Sequence, residues 1–146
     1  MRVFVGCKNV LENNATIIKI CKNDAETWQV FRKRTLILPT RKFEHGKIDI
    51  ANLGDTSIGK ALFEPGWKWS TSVKPIVKTE SCQQKHTMYV ISGKMRVKMD
   101  DGSEEEFGPG DTGIVPSGHD AWVVGNEPCV AVDFTGDFCN KATEKV

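Results

Sequence analysis

The chain has 146 residues, 39% of them hydrophobic and 27% charged, with a formal net charge of +1, which fits one ordinary globular domain and argues against a disordered or fibrous chain. No uninterrupted apolar stretch approaches the roughly 18–20 residues that cross a bilayer, and the N-terminus lacks the apolar segment of a secretory signal, so a cytoplasmic protein without membrane contact is expected. The five cysteines, Cys7, Cys21, Cys82, Cys129 and Cys139, are odd in number and form no C-x-x-C pair, which points to neither a disulfide framework nor a zinc ribbon.

Charge is unevenly spread. Residues 1–42 carry nine Lys or Arg against three acids, whereas the remainder carries eleven against sixteen. The cluster Arg32-Lys33-Arg34 is short and lacks interleaved aromatic side chains, so a solvated basic extension is expected over 1–42 rather than a nucleic-acid footprint. Within it, Ala15–Ile20 and Trp28–Phe31 read as short strands, or Asp24–Arg32 as a helical turn or two, and the pattern leaves both open. Thr35–Leu38 reads as a strand stopped by Pro39.

From Lys47 onward, short strand-like runs alternate with glycine and proline turns at intervals of about ten residues, the pattern of an all-β sandwich or barrel. Strands are predicted at Lys47–Ala51, Ile58–Phe63, Ser72–Val77, Cys82–Ile91, Lys94–Met99, Glu104–Phe107, Thr112–Val115, Asp120–Val124 and Cys129–Phe134. Residues 43–138 are assigned to this barrel and 139–146 to a tail. Alternation over Lys94–Met99 turns Met95, Val97 and Met99 inward. A three-residue loop, Asp100-Asp101-Gly102, sets Lys98 opposite Glu104 and Arg96 opposite Glu106; a two-residue loop would turn both glutamates into the core.

Two segments carry the chemistry. Residues 80–93 read Glu-Ser-Cys-Gln-Gln-Lys-His-Thr-Met-Tyr-Val-Ile-Ser-Gly, and residues 110–122 read Gly-Asp-Thr-Gly-Ile-Val-Pro-Ser-Gly-His-Asp-Ala-Trp. Gly93 closes the first, and Gly110, Pro116 and Gly118 frame the second. This pattern resembles the two motifs of the cupins, small antiparallel jelly-roll barrels, over roughly residues 47–135, and the sixteen residues between Gly93 and Gly110 resemble the short spacer of microbial members. The resemblance implies a barrel with a homodimeric partner and a metal between its sheets. Its ligand slots fall on Glu80, Cys82, His86 and Ala121, so all four differ from the family's residue types, while His119 stands two places before the last. Cupin enzymes of this size include dioxygenases, isomerases and decarboxylases acting on small acids and sugars.

Strand parity bears on the same residues. In an extended strand Glu80, Cys82, Gln84, His86 and Met88 share a face, as do His119, Ala121 and Val123. Carboxylate, thiolate and imidazole are all ligands for a divalent ion such as iron, manganese or zinc. Glu80, Cys82, His86 and His119 are therefore the expected metal ligands, with Gln84, Met88, Trp67 and Trp69 lining the pocket. A lone inward cysteine is otherwise a small hydrophobe, and a metal-free pocket using His86 and His119 as acid–base groups stays open. Asp120 is read as stabilising the turn after Gly118, Trp122 as packing, Phe63 with Trp67 and Trp69 as a cavity wall or dimer contact, and His45 as a surface residue. No nucleophile elbow, phosphate loop or dinucleotide fingerprint is present.

The expectation is an all-β antiparallel jelly-roll barrel with a short irregular N-terminal extension. It binds a small polar or acidic molecule and holds a divalent metal, with His86 and His119 as catalytic groups. A non-catalytic ligand-binding or sensing module with a degenerate metal site is the alternative.

Overall fold

The computed structural model describes residues 39–53 and 56–135, together with the backbone of three earlier strands. The chain forms two compact units, Met1–Pro39 and Thr40–Val146. In the first, strands β1 (Cys7–Glu12), β2 (Thr16–Lys22) and β3 (Thr27–Val30) make an antiparallel sheet in that order. Thr27–Val30 thus takes the strand form of the two readings left open by pattern. The strand expected at Thr35–Leu38 lies outside the described residues.

The second unit runs β4 (Thr40–Phe43), β5 (Gly46–Leu53), β6 (Thr56–Phe63), α1 (Trp69–Ser72), α2 (Lys74–Val77), β7 (His86–Ser92), β8 (Met95–Met99), β9 (Glu104–Phe107), β10 (Thr112–Val115), β11 (His119–Val123) and β12 (Cys129–Asp133). Every strand pair is antiparallel, in a six-stranded sheet of order β10-β7-β12-β6-β5-β4 and a three-stranded sheet of order β11-β8-β9. This is the all-β jelly-roll the sequence predicts. β4 was not anticipated; it pairs with β5 and places Phe43 against the core.

Alternation builds the core. Along β7, Met88 and Val90 are buried while Thr87, Tyr89 and Ile91 are exposed; along β12, Cys129, Ala131 and Asp133 are buried between half-buried valines. These inner faces meet Met95 and Val97 of β8 and Ala121 and Val123 of β11. Full burial of a side chain of the Val or Met kind stabilises by roughly 1.5–3 kcal/mol, so the two period-2 faces are what hold the sheets together.

The β8–β9 hairpin has the predicted register, with Arg96 opposite Glu106 and Lys98 opposite Glu104. Met99 donates its N–H to Ser103 O at 2.8 Å, closing the three-residue loop, and Gly102 takes φ +90°. Arg96 reaches Glu106 at 2.7 Å and Lys98 reaches Glu104 at 3.1 Å.

The strand predicted at Ser72–Val77 is instead the helical pair α1 and α2. Trp69, Ser72 and Val73 are buried at i, i+3 and i+4, a helical rather than alternating pattern. Pro75 lies in the first turn of α2, where its missing N–H is not needed. Lys78, in the left-handed region, donates its N–H to Lys74 O and ends the turn. Asp120 ties this element to β11 by accepting the Ser70 N–H at 3.0 Å and pairing with Lys68 at 3.5 Å, while Lys68 also lies over the Trp122 ring. Among the described residues, no helix is long and apolar enough to cross a membrane.

Gly93 shows why the first motif ends in glycine. It has φ +70°, and a Cβ there would lie 2.3 Å from Pro128 O and 2.7 Å from Cys129 Cα, both backbone atoms that cannot swing aside. Gly125 has φ +85° but open space around it. Gly93→Ala is expected to lower unfolding free energy in urea by about 2–4 kcal/mol, combining left-handed strain with overpacking, whereas Gly125→Ala loses only the strain, about 1–2 kcal/mol. Equal losses for the two variants would rule out the steric part.

Candidate metal centre

Three elements bring the site together. His119 opens β11 in the smaller sheet and His86 opens β7 in the larger one. Cys82 precedes β7, held not by a strand but by a single bridge to His119: its N–H donates to His119 O at 2.7 Å, and its O accepts the Gly118 N–H at 2.7 Å. The candidate ligand atoms of Cys82, His86 and His119 all lie within 4.8 Å of one another. Cys82 and His119 are buried, and Cys82 Sγ is 3.5 Å from His86 Nε2.

The outer partners of the imidazoles fix their tautomers. His86 Nδ1 is 2.5 Å from Asp133 Oδ2, and His119 Nδ1 is 2.6 Å from Pro116 O. A carbonyl oxygen and an ionised carboxylate only accept, so each Nδ1 carries the proton. In the neutral rings Nε2 is then the free lone pair on both, as in metal sites whose histidines are oriented by a carboxylate or carbonyl behind them. Asp133 also accepts the Thr135 N–H at 2.8 Å. Burial pushes its acidity weaker, but the bonds from His86 and Thr135 outweigh this and hold its carboxyl below the ordinary range.

The electrostatics of the trio are coupled. Burial pushes the Cys82 thiol up, but hydrogen bonds from His119 and His86 together with their charges bring it down to about 6. Burial likewise pushes His86 down, yet its bonds to Asp133 and Cys82 raise it to about 9. Without a metal, thiolate and imidazolium therefore face each other at neutral pH. Cys129, by contrast, has burial as its dominant influence and is pushed up to about 11.

The site opens into a cavity of about 370 Å³ between the sheets, lined among others by Phe43, Phe63, Trp67, Trp69, Met88 and Ala121. Phe63 and Trp67 stack with ring centroids 4.0 Å apart, forming an aromatic wall with Phe43. Thus Cys82, His86 and His119 converge, and Met88, Trp67 and Trp69 line the cavity, where the sequence put them.

Glu80 and Gln84 do not join them. The Glu80 side chain is 97% exposed and bonded to Lys74 Nζ at 2.8 Å, and Gln84 is half-buried but off the cavity wall. The physical reason is the same for both. Parity was carried back from His86 through a continuous strand, but β7 starts at His86, and the left-handed Lys78 redirects the chain before Glu80. Asp133 was missed altogether. Its signal was available: a carboxylate on the inward parity of Cys129-Val-Ala-Val-Asp133 is out of place in a core strand unless something pairs with it. His45 lies at the surface in the β4–β5 turn, with φ 56°.

In metal-free protein, alkylation of Cys82 followed by peptide mass mapping is expected to rise through a midpoint near pH 6, with Cys129 unreactive below pH 9. His86→Ala or His119→Ala moves that midpoint upward by a unit or more. The lowered thiol favours the folded state above its unfolded value and loses that contribution as pH falls through about 6. The raised imidazole favours it below its unfolded value and loses it as pH rises through about 9. The melting temperature is accordingly expected to peak between these limits, and a flat profile from pH 5 to 10 would contradict the ion pair.

Comparison with known proteins agrees with this architecture. Residues 67–132 match the EutQ-like cupin domain. Among solved structures, the formate complex of oxalate decarboxylase from Lactobacillus farciminis superposes with a TM-score of 0.51 at 20% identity, covering 69% of this chain and 32% of that one. A Vibrio parahaemolyticus protein of unknown function gives a TM-score of 0.51 at 12% identity, covering 67% of this chain and 97% of that one. The chain thus spans about a third of the length of the decarboxylase it resembles, and at these identities the likeness speaks for the fold alone. A search of curated protein sequences gives no match. With two opposed antiparallel sheets, the unit Thr40–Val146 has the jelly-roll fold of the cupins, and its residues 67–132 are similar to the EutQ-like cupin domain.

Proposed function

We propose that the protein is a metal-dependent cupin enzyme acting on a small polar or acidic molecule in its cavity, with Cys82, His86 and His119 as the metal ligands. The observation that supports this reading is the outer shell: both Nδ1 atoms are engaged by Asp133 and Pro116, so both Nε2 atoms are left to converge with a thiol of lowered pKa. Three protein ligands of this kind match catalytic rather than structural sites, which fill a fourth position with protein. The thiolate favours zinc or iron over manganese. When bound, a divalent ion would supply Lewis-acid polarisation of a ligand oxygen or acidify a bound water.

The chain's own residues do the remaining work. Asp133 orients His86 and makes its Nε2 more basic. The Cys82–His119 backbone bridge fixes two donors relative to each other. Phe43, Phe63 and Trp67 exclude water from one side of the cavity and offer a flat apolar surface to a ligand. Choice among dioxygenase, isomerase and decarboxylase chemistry belongs to the ligand bound there. The exposed Tyr89, Ile91 and Ile114 on β7 and β10 support a homodimer as part of the same proposal, in a cytoplasmic setting.

One observation favours the second reading, a non-catalytic ligand-binding module: Ala121 occupies the fourth family slot and Glu80 is turned to solvent, so two of the four slots hold no ligand at the site.

Purified protein reconstituted under reducing conditions is expected to bind close to one equivalent of zinc or iron. Cys82→Ser, His86→Ala and His119→Ala abolish stoichiometric binding, Asp133→Asn weakens it about 10–100-fold, and Glu80→Ala leaves it unchanged. Cobalt substitution is expected to give a near-ultraviolet thiolate charge-transfer band that Cys82→Ser removes. Protein that stays metal-free in every reconstitution would leave the binding-module reading standing.

At pH 7.5 the metal-free site holds a thiolate and a protonated His86, whereas a ligated His86 is neutral, so zinc binding is expected to release about one proton. The buffer dependence of the calorimetric heat measures it. Uptake of a proton, or release of two, would contradict this protonation state.

A further inference from the structure

Asp100 stands in the β8–β9 turn, yet its carboxylate leaves that hairpin. The neighbouring Asp101 does the local work of the turn, accepting the Ser103 N–H at 2.8 Å and the Ser103 hydroxyl at 2.6 Å. Asp100 Oδ2 instead accepts the hydroxyl of buried Ser81 at 2.7 Å, 19 residues away in sequence. The Asp100 backbone continues the β8–β11 pairing one step past Met99 and His119, donating its N–H to Gly118 O at 2.9 Å. One residue thus holds both the position before Cys82 and the position before His119.

Gly118 makes this reach possible. It has φ +88°, and a Cβ there would lie 3.0 Å from Asp100 Oδ2 and 3.6 Å from its Cγ. The glycine of the second motif therefore leaves room for the carboxylate to pass to Ser81. The Ser81 oxygen in turn accepts from Gln83 Nε2 at 2.9 Å, so this hydroxyl links residues on both sides of Cys82 to the turn. A hydroxyl donating to an ionised carboxylate makes a stronger bond than a neutral pair.

The consequence falls on Cys82, which belongs to no strand and whose backbone is fastened to Gly118 and His119. Slack in residues 81–83 moves Sγ relative to both imidazoles. Donors around a metal must keep fixed distances and angles, and the groups behind them supply that constraint.

We infer that Asp100 is a positioning residue for Cys82, fixing its thiol against His86 and His119 by tying Ser81 to Gly118. This deepens the proposed function and rests on Cys82, His86 and His119 being the ligand set.

Amide hydrogen exchange, followed by NMR on metal-free full-length protein, and zinc titration of the same samples test it. D100A is expected to speed exchange of the Cys82 and Gly118 amides about tenfold or more, leaving Val90 in β7 and Ala131 in β12 at wild-type rates. It is also expected to weaken zinc binding about 10–100-fold. S81A does the same, and the double variant loses no more than either single one, as for one shared interaction. D100N keeps an oxygen acceptor for the Ser81 hydroxyl and restores most of both losses. The Gly102 amide, bonded to Met99 O within the turn at 2.9 Å, reports the turn itself. Equal loss of protection at Gly102 and Cys82 would make Asp100 a residue of turn stability only and overturn the inference. So would wild-type exchange at Cys82 and Gly118 in D100A, additive losses in the double variant, or no rescue by D100N. If D100A does not fold, S81A, which leaves the turn residues untouched, decides by the same readouts. The exchange arm needs no metal, so the two proposals fail separately. The expected exchange pattern in protein that never binds zinc upholds Asp100 and removes the metal, whereas tight zinc binding unchanged in D100A and S81A keeps the metal and removes Asp100.

Discussion

The site depends on one short piece of backbone pairing, the bridge in which Cys82 exchanges hydrogen bonds with Gly118 and His119. Cys82 lies outside any strand, so nothing periodic positions it. Two bonds of 2.7 Å fasten it to the start of β11 in the smaller sheet, four residues before the chain enters β7 in the larger one. The linking segment is thereby pinned across the gap between the sheets. Neighbouring contacts reinforce it: Ser81 donates its hydroxyl to Asp100 at 2.7 Å, and Asp100 donates its N–H to Gly118 O at 2.9 Å. A thiol and two imidazoles from three separate stretches of chain then meet where the sheets diverge to leave a cavity.

That convergence is costly for a core. A buried thiol, the buried imidazole of His119 and the half-buried one of His86 carry polar atoms that apolar neighbours cannot satisfy. Asp133 and Pro116 O satisfy the far side of each ring, and the thiol and His86 satisfy each other by sharing charge. The outcome is a preorganised cluster facing an otherwise largely apolar space. A structural core would have been as well served by valine, and Val90 and Val97 occupy comparable inward positions with no such burden.

Much of the barrel was legible. Alternation placed Met95, Val97 and Ala121 inward, and the charge pairs Arg96–Glu106 and Lys98–Glu104 selected the longer of two hairpin loops. The candidate cluster was legible where parity ran within a strand, at His86 and His119, while Cys82 joins them through its backbone bridge to His119 and not through parity. It failed where parity was extended beyond the end of a strand, at Glu80 and Gln84, because side-chain alternation is a property of extended backbone and not of sequence spacing. Ser72–Val77 failed for a related reason: β-branched residues favour strands only when a neighbouring strand is there to receive them. Here Trp69, Ser72 and Val73 bury better as turns of helix.

By itself, then, the sequence determined the local periodicities: which side chains each strand turns inward, where glycine and proline break the chain, and which segments carry donor atoms. Tertiary structure alone decided which of those donors meet. Asp133 lies 47 residues from His86, and Arg41 reaches the cavity from an edge strand that pattern did not reveal. A hydrogen bond or a shared cavity between residues so far apart depends on how two sheets stack, and no local preference of the chain encodes that distance.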